Sequence, residues 1–137
     1  MDDTKKENKW GPYAWYRFHK EAIRYPDNPC QCDIDRIIDY YHKRFFKYID
    51  CPTCCKEYRK IIYSMPLRVA SREALFDWTV DVHNLINKKL GRPLMTYEQA
   101  FILWSKIIPC NPRPCYKPYL DPNAYFIRFD NFANSFY

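Results

Sequence analysis

Apolar side chains recur every three or four positions through most of the chain, which is the spacing of helices with one buried face. The first such stripe consists of Trp15, Phe18, His19 and Ala22. Proline is tolerated in the first turn of a helix, so we expect this helix to open at Gly11–Pro12. Pro26 and Pro29 follow the stripe and predict the end of the helix.

The same spacing predicts four further helices. They cover Asp33–Asp50, Thr53 to about Ser64, about Ser71 to Leu90, and Tyr97 to about Ile107. Ser71 is a suitable N-cap for the fourth helix, although Ala74 rather than Glu follows three residues later, so the full capping box is missing. Gly91 followed by Pro93 is typical of a helix end.

The character of the sequence changes after Ile108. Five prolines fall between positions 109 and 122 and exclude a regular helix. Many aromatic side chains accompany them, so we expect residues 109–137 to form an irregular C-terminal extension that packs on the body or on a partner. Residues 1–108 would form the domain, which we predict to be all-α: a four-helix bundle plus a short fifth helix.

The composition fits one domain and excludes several classes of protein. A chain of 137 residues can bury a hydrophobic core. Its net charge of +6 is scattered along the sequence and falls short of a nucleic-acid-binding footprint. No apolar run approaches the roughly 20 residues of a membrane span. Residues 1–9 are charged and polar and lack the apolar core of a signal peptide, so we expect a protein of a cytosol-like compartment.

Seven cysteines are unusual for such a compartment, where cysteines more often bind metal or take part in redox chemistry. Cys51 and Cys54 form a C-x-x-C pair at the predicted start of the third helix, where the helix dipole favours a thiolate. This placement favours a redox function. The alternative is half of a zinc site, although no second C-x-x-C pair exists to complete it. A zinc-binding interaction module therefore stays open.

A polar set interrupts the apolar stripe of the fourth helix. Its members are His83, Asn84 and Asn87. Buried polar groups need hydrogen-bond partners, and a polar heterocyclic ligand would supply them. Three basic residues follow near the end of the helix, namely Lys88, Lys89 and Arg92. They suit either a pyrophosphate group or the negative end of the helix dipole.

Four ring-bearing side chains complete the candidate site. They are Trp10, Trp15, His19 and Trp104. Rings at helical spacing most often pack in a core. The functional interpretation is a stacking wall for a flat ring system, and the residues alone leave both interpretations open.

Taken together, these residues resemble the Erv/ALR family of flavin-linked sulfhydryl oxidases. The matching residues are Trp10-Gly11-Pro12-x-x-Trp15-x-x-x-His19, Cys51-x-x-Cys54, Trp78-x4-His83-Asn84-x-x-Asn87-x-x-Leu90-Gly91-Arg92, and Trp104. They occur in the family's order and at its spacing. The resemblance covers about Lys9 to Lys106, which is most of the chain.

The resemblance implies a helical bundle, usually dimeric, that holds FAD without a covalent bond. One side of the FAD would be lined by Trp10, Gly11, Trp15 and His19. The other side would be lined by His83, Asn84, Asn87, Lys88 and Trp104, with Arg92 where the family usually has Lys. Cys51 and Cys54 would form a disulfide beside the flavin. Cys54 would be the sulfur nearer to the ring, and Cys51 the more exposed one.

The implied activity is the oxidation of dithiols in protein substrates to disulfides. A substrate thiolate would attack Cys51 through a mixed disulfide. Two electrons would then pass through Cys54 to the flavin and on to O2, giving hydrogen peroxide. A thiol–disulfide exchanger without a cofactor is a third interpretation, but the sequence lacks the strand-rich pattern expected around its C-x-x-C.

Family members often use a second cysteine pair as a shuttle between substrate and C-x-x-C. The first candidate here is Cys110 with Cys115, in the predicted extension. The second is Cys30 with Cys32, which we expect in the loop between the first two helices. A structural disulfide is the competing interpretation of the first pair. Cys55 has no family role that we can assign.

Several positions depart from the family pattern. Val80 and Tyr97 stand where members often have a second disulfide between the fourth and fifth helices, and such a bond is worth roughly 3 kcal/mol. Other packing must compensate for its absence. Ile49 and Leu103 replace a Tyr and an Arg that are common in the family. Short members without the second disulfide resemble virus-encoded versions, which would act in the host cytoplasm or the virion; the alternative compartment is the mitochondrial intermembrane space.

Overall fold

The computed structural model describes residues 2–108, with side chains from residue 10 onward. In this range the chain forms five α-helices and one short 3-10 helix, and it contains no strand. The α-helices are α1 (Asp2–Ile23), α2 (Gln31–His42), α3 (Pro52–Ser64), α4 (Arg72–Lys89) and α5 (Tyr97–Ile107); the 3-10 helix Arg44–Tyr48 lies between α2 and α3. The all-α prediction is confirmed. The predicted extension, residues 109–137, lies outside the described residues.

Caps fix both ends of α4 as the sequence predicted. The Ser71 hydroxyl accepts a hydrogen bond from the Ala74 backbone N–H at 3.1 Å. Gly91 follows the end of α4 with φ of +70°, a conformation that only glycine adopts without strain. Thr96 caps α5 and forms a capping box with Gln99, which the sequence analysis did not identify. No helix in residues 2–108 is long and apolar enough to cross a membrane.

The predicted start of the first helix was wrong. Helix α1 begins at Asp2, and Pro12 lies inside it rather than in its first turn. Proline inside a helix removes one backbone hydrogen bond. The residues that precede it include three Lys and one Glu, which have good helix propensity, and the helix continues through the proline.

The predicted bounds of the second helix were also wrong. Helix α2 starts one residue after Cys30, because the Asp33 carboxylate accepts the Cys30 backbone N–H at 3.0 Å and caps the helix there. Cys32 therefore lies in the first turn of α2 and not in a loop. The helix stops at His42, and the 3-10 turn that follows brings Phe45 into the core. Ile38 lies beside the buried Ile37 in the sequence but is itself 39% exposed.

The core forms where α1 meets α4, with aromatic rings from the other segments around the contact. The Phe18 ring lies 5.1 Å from Tyr41, 4.9 Å from Phe45 and 5.5 Å from Trp78. Buried hydroxyls in this cluster are satisfied by backbone carbonyls. Tyr41 donates to the Phe18 carbonyl at 2.6 Å, and Tyr58 donates to the Tyr41 carbonyl at 2.7 Å. The polar ends of these rings therefore tie the segments together as well as filling space.

Hydrogen bonds connect α4 to α5 where the family resemblance pointed to a missing disulfide. The Tyr97 hydroxyl donates to the Asp81 carboxylate at 2.8 Å, and Arg68 pairs with the same carboxylate. Asn84 makes two further bonds to the Met95 backbone. Exposed ion pairs contribute little, so the Asn84 bonds carry more of the connection.

The left-handed conformation at Gly91 predicts a specific order of stabilities. Gly91→Ala should lower the free energy of unfolding by about 1 kcal/mol, because L-residues with a Cβ resist positive φ. A Cβ built there meets no atom within 4 Å, so the cost is purely conformational. Gly91→Asn is the matched control and should lose less, since Asn tolerates this conformation. Urea unfolding of the three proteins measures the order; equal stability of all three would contradict the assigned turn.

Candidate active site

A disulfide joins Cys51 and Cys54, with a Cα–Cα distance of 5.2 Å. Cys51 is the N-cap of α3, and its sulfur accepts the Cys54 backbone N–H at 3.1 Å. Pro52 is the first residue of the helix, where its missing N–H costs nothing. The predicted position of the C-x-x-C pair at a helix N-terminus is confirmed. This end of the helix stabilises negative charge on the Cys51 sulfur when the pair is reduced.

The relative exposure of the two cysteines corrects an expectation from the sequence. We expected Cys51 to be the more exposed of the two, but it is only 2% exposed, whereas Cys54 is half-buried. As the N-cap, Cys51 folds its sulfur back over the first turn of α3. Cys54, inside that turn, lines a cavity instead.

That cavity is apolar and lies between α1, α3, α4 and the segment around the 3-10 helix. It measures about 530 Å³ when its open mouth is included. It is lined by Trp10, Ala14, Trp15, Phe18, Phe45, Ile49, Cys54, Tyr58, Val82, Ile86 and Leu90. Its apolar and aromatic walls resemble those of small-molecule sites. One cysteine of the disulfide and two tryptophans thus line the same space.

A buried stack of four rings lies beside the cavity and shares Trp15 with it. The Trp15 ring is 3.5 Å from His83 at an interplanar angle of 9°. His83 is 5.1 Å from His19, and His19 is 4.6 Å from Trp104. His19 and Trp104 are fully buried and His83 is 1% exposed. Of the predicted stacking residues, Trp10 and Trp15 therefore line the cavity, while the other rings pack against one another.

Hydrogen bonds link the two histidines of the stack to α4. His19 Nε2 lies 2.9 Å from His83 Nδ1, and His19 Nδ1 lies 3.0 Å from the Thr79 hydroxyl oxygen. Burial lowers the pKa of His19 to about 3. Burial, and to a lesser extent the adjacent His19, lowers the pKa of His83 well below its usual range. Both rings are therefore neutral near pH 7.

The two asparagines of the polar set have different surroundings. The Asn84 side chain bonds to both polar groups of the Met95 backbone. Its Nδ2 donates to the Met95 carbonyl at 2.7 Å, and its Oδ1 accepts from the Met95 N–H at 3.0 Å. Asn87 is fully buried and donates to the Pro93 carbonyl at 3.3 Å. Its Oδ1 has no hydrogen-bond partner within the described part of the chain, and neither has the buried Trp10 Nε1. Asn84 thus has a structural partner, while Asn87 retains an unsatisfied acceptor.

The basic residues at the end of α4 are placed on the surface. Lys88 is exposed, Arg92 is half-buried, and Lys89 forms a 2.9 Å ion pair with Glu57 of α3. Lys89 is therefore engaged between two helices. Gly11, expected to line the cofactor, is buried in α1 one residue from Trp10.

The remaining cysteines are not joined to one another in the described region. Cys30 and Cys32 are free and exposed at the start of α2. Cys55 is half-buried beside Cys54, its thiol lies 3.6 Å from the Ile49 carbonyl, and burial raises its pKa. Cys110 and Cys115 lie outside the described residues. Among the side chains described, those of residues 10–108, no group of three or more Cys, His, Asp or Glu comes together in the manner of a zinc site.

Sequence reasoning missed Thr79 and most of the apolar lining of the cavity. Thr79 is fully buried and contacts His19. The signal was present, since Thr79 lies four residues before His83 and so on the same face of α4. The lining residues carry no chemical signal of their own and were indistinguishable from ordinary core.

Comparisons with known proteins show the family to which the chain belongs. The model of the Erv1 / Alr family matches residues 12–111. A probable FAD-linked sulfhydryl oxidase of Acanthamoeba polyphaga mimivirus is 33% identical over 96 residues, which are 67% of this chain and 66% of that protein. The mitochondrial FAD-linked sulfhydryl oxidase erv1 of Schizosaccharomyces pombe is 31% identical over 98 residues, covering 70% of this chain and 51% of the relative. The chain thus spans only half to two thirds of the length of these relatives.

The fold is similar to solved structures as well. The FAD binding domain of Erv1 from Saccharomyces cerevisiae aligns with a TM-score of 0.65 and 28% sequence identity. The alignment covers 70% of this chain and 90% of that domain. The yeast Erv1 core aligns with a TM-score of 0.66.

The buried histidines predict how stability depends on pH. In the unfolded chain they take up protons as the pH falls through about 6.5, whereas in the folded protein they stay neutral. The contribution of the two histidines to the free energy of unfolding is therefore fully present above this pH. Below this pH it falls by about 1.4 kcal/mol per pH unit for each histidine. Urea unfolding between about pH 7.5 and about pH 5 measures the slope, since carboxylates titrate mostly below this window.

Two variants make this measurement specific. His19→Gln should reduce the slope, and Thr96→Val, which removes the cap of α5 but no titratable group, should leave it unchanged. A stability that stays flat over the whole window would show that these rings are not buried in the neutral form.

The hydrogen bonds of Asn84 predict a role that does not depend on any cofactor. Asn84→Ala removes both bonds to Met95 and should lower the free energy of unfolding by about 1–3 kcal/mol, measured without added FAD. Lys88→Ala, at an exposed position on the same helix, is the control and should change little. Unchanged stability of the Asn84 variant would mean that its amide serves a ligand rather than the α4–α5 connection.

Proposed function

The chain belongs to the Erv1 / Alr family, and on that premise we propose that it is an FAD-linked thiol oxidase that forms disulfides in protein substrates. One observation carries the proposal beyond the family match. Cys54, one half of the disulfide at the start of α3, lines the same apolar cavity as Trp10 and Trp15. A cysteine of a redox-active pair is thereby next to a space with aromatic walls that suit a flat ring.

The residues present fit a bound FAD. The cavity walls are apolar and aromatic, which suits a ring system, and the buried Asn87 Oδ1 and Trp10 Nε1 are polar atoms that a heterocycle with donors and acceptors would satisfy. Exposed Lys88 and half-buried Arg92 lie at the end of α4, where a pyrophosphate can be neutralised. The flavin, when bound, supplies the two-electron chemistry that oxidises a dithiol and transfers the electrons to O2.

The proposed cofactor residues fall into two groups in the structure. Trp10, Gly11, Trp15 and Cys54 lie at or beside the cavity. His19, His83 and Trp104 are packed into the ring stack, so their contact with FAD requires the stack to open next to Trp15. We assign the first group to the redox-active end of the cofactor and the second group, with Asn87, to the remainder.

The residues of the chain account for the exchange with substrate. A substrate thiolate attacks Cys51, the Cys51–Cys54 bond breaks, and Cys54 leaves as a thiolate while a mixed disulfide forms. A second substrate thiol then attacks the mixed disulfide, releasing the oxidised substrate and Cys51 as a thiolate, which the N-terminus of α3 stabilises. Because Cys51 is only 2% exposed, the first attack requires a local opening at the start of α3.

Partners and location belong to the same proposal. The substrates would be thiol-containing proteins, the final electron acceptor O2 and the assembly a homodimer. Exposed Cys30 and Cys32 remain candidates for a shuttle, alongside Cys110 and Cys115. The related proteins include a viral one and a mitochondrial one, so a virus-linked or an intermembrane-space compartment both accord with the family.

Cysteine variants test the proposed reaction. Cys54→Ser and Cys51→Ser should each reduce dithiothreitol oxidation to background, because the exchange needs both sulfurs. Cys55→Ser is the matched control and should retain turnover, since Cys55 is outside the disulfide. Oxygen consumption and peroxide formation measure the activity, and the visible flavin spectrum reports bound cofactor in each variant. Full activity of Cys54→Ser, or a purified protein that neither contains nor binds flavin, would refute the proposal.

A further inference from the structure

We propose that Thr79 is a positioning residue. Acting through His19, it fixes the proton positions of the buried His19–His83 pair and makes Nε2 of His83 a hydrogen-bond acceptor. The consequence for FAD rests on the proposed function, whereas the consequence for the two rings does not.

The backbone of α4 sets the direction of these hydrogen bonds. The Thr79 hydroxyl donates its one proton to the Phe76 carbonyl at 2.6 Å, and a carbonyl can only accept. The Thr79 oxygen must therefore accept from its other neighbour, His19 Nδ1, at 3.0 Å. This places the His19 proton on Nδ1. The donor and acceptor roles of Thr79 and His19 are therefore fixed by a carbonyl of the helix backbone, which cannot rotate.

The proton order then passes to the second ring. His19 is fully buried, so its neutral form is favoured and its Nε2 carries a lone pair. His83 Nδ1 lies 2.9 Å from that lone pair and must be the donor. Because His83 is neutral as well, its own Nε2 is left as an acceptor. Both histidines therefore carry their protons on Nδ1.

The opposite arrangement has a definite cost. Reversing all the protons would require Thr79 to donate to His19, which breaks its bond to the Phe76 carbonyl. The rings cannot escape by rotating, since Trp15 covers His83 at 3.5 Å and Trp104 covers His19 at 4.6 Å. Removing the Thr79 hydroxyl takes away the group that distinguishes the two arrangements.

The proton order has a consequence for recognition. An acceptor at His83 Nε2 favours ligand N–H groups, and FAD carries such donors on its flavin and adenine rings. A reversed pair would present a donor instead and would repel the same groups. Thr79 would thus influence FAD affinity from α4 although it does not line the cavity.

Two variants and one control test the proposal. Thr79→Val keeps the side-chain shape without the hydroxyl, and Thr79→Ser restores a hydroxyl. Thr96→Val removes the cap of α5, so it controls for a loss of stability away from the histidines. The ring ¹⁵N chemical shifts of His19 and His83 report the tautomers, and titration of FAD into flavin-free protein reports affinity.

We expect both rings of the unsubstituted protein to carry their protons on Nδ1. Thr79→Val should shift His19 toward the Nε2-protonated form and weaken FAD binding by about threefold to tenfold, which corresponds to one hydrogen bond. Thr79→Ser should restore both properties, and Thr96→Val should leave the tautomers unchanged.

Three results would overturn the proposal in distinguishable ways. Unchanged tautomers in Thr79→Val would remove the role of Thr79. Reversed tautomers with unchanged FAD affinity would remove the link to recognition. If the unsubstituted protein bound no FAD, the proposed function and the recognition step would both fail, while the ring shifts would still decide whether Thr79 sets the proton order.

Discussion

The contact between α1 and α4 is the constraint on which the candidate site depends. It brings Trp15 and His19 from one helix against Thr79 and His83 from the other. Trp15 then belongs to two environments, the ring stack on one side and the cavity with Cys54 on the other. If α1 and α4 separated, the stack, the histidine hydrogen bonds and the cavity would be lost together. The surroundings of the disulfide therefore depend on packing between two helices that do not contain it.

A second constraint is the connection between α4 and α5. Family members often have a disulfide there, but here Val80 is buried in the core and Tyr97 bonds to Asp81. Asn84 contributes two bonds to the Met95 backbone in the same connection. An asparagine that the sequence resemblance assigned to the cofactor thus holds the loop that follows α4. The same residue type can serve the fold and the site, so its presence in the motif does not by itself identify which role it has.

The sequence predicted the features that depend on local chemistry. The caps at Ser71 and Gly91, the bounds of α5 and the position of Cys51 at a helix start all follow from short-range rules, and the structure confirms them. The sequence-based prediction was wrong where tertiary packing determines the ends of a helix. The end of α2 at His42 depends on Phe45 reaching the Phe18 ring, which no local pattern encodes.

The same division holds for the site. The polar and aromatic residues were recognisable because imidazoles, amides and tryptophans on an apolar face are unusual. The arrangement of these residues in space could not be predicted. Periodicity cannot show that Trp15 stacks on His83 or that Cys51 is more buried than Cys54. Thr79 was overlooked because its position one turn before His83 becomes informative only once its hydroxyl is known to contact His19.

A crystal structure of the protein with FAD tests the central claim most directly. The account predicts the flavin ring in the cavity walled by Trp10 and Trp15, in contact with the Cys54 sulfur. An FAD bound at another surface, or a flavin ring that does not reach Cys54, would contradict it.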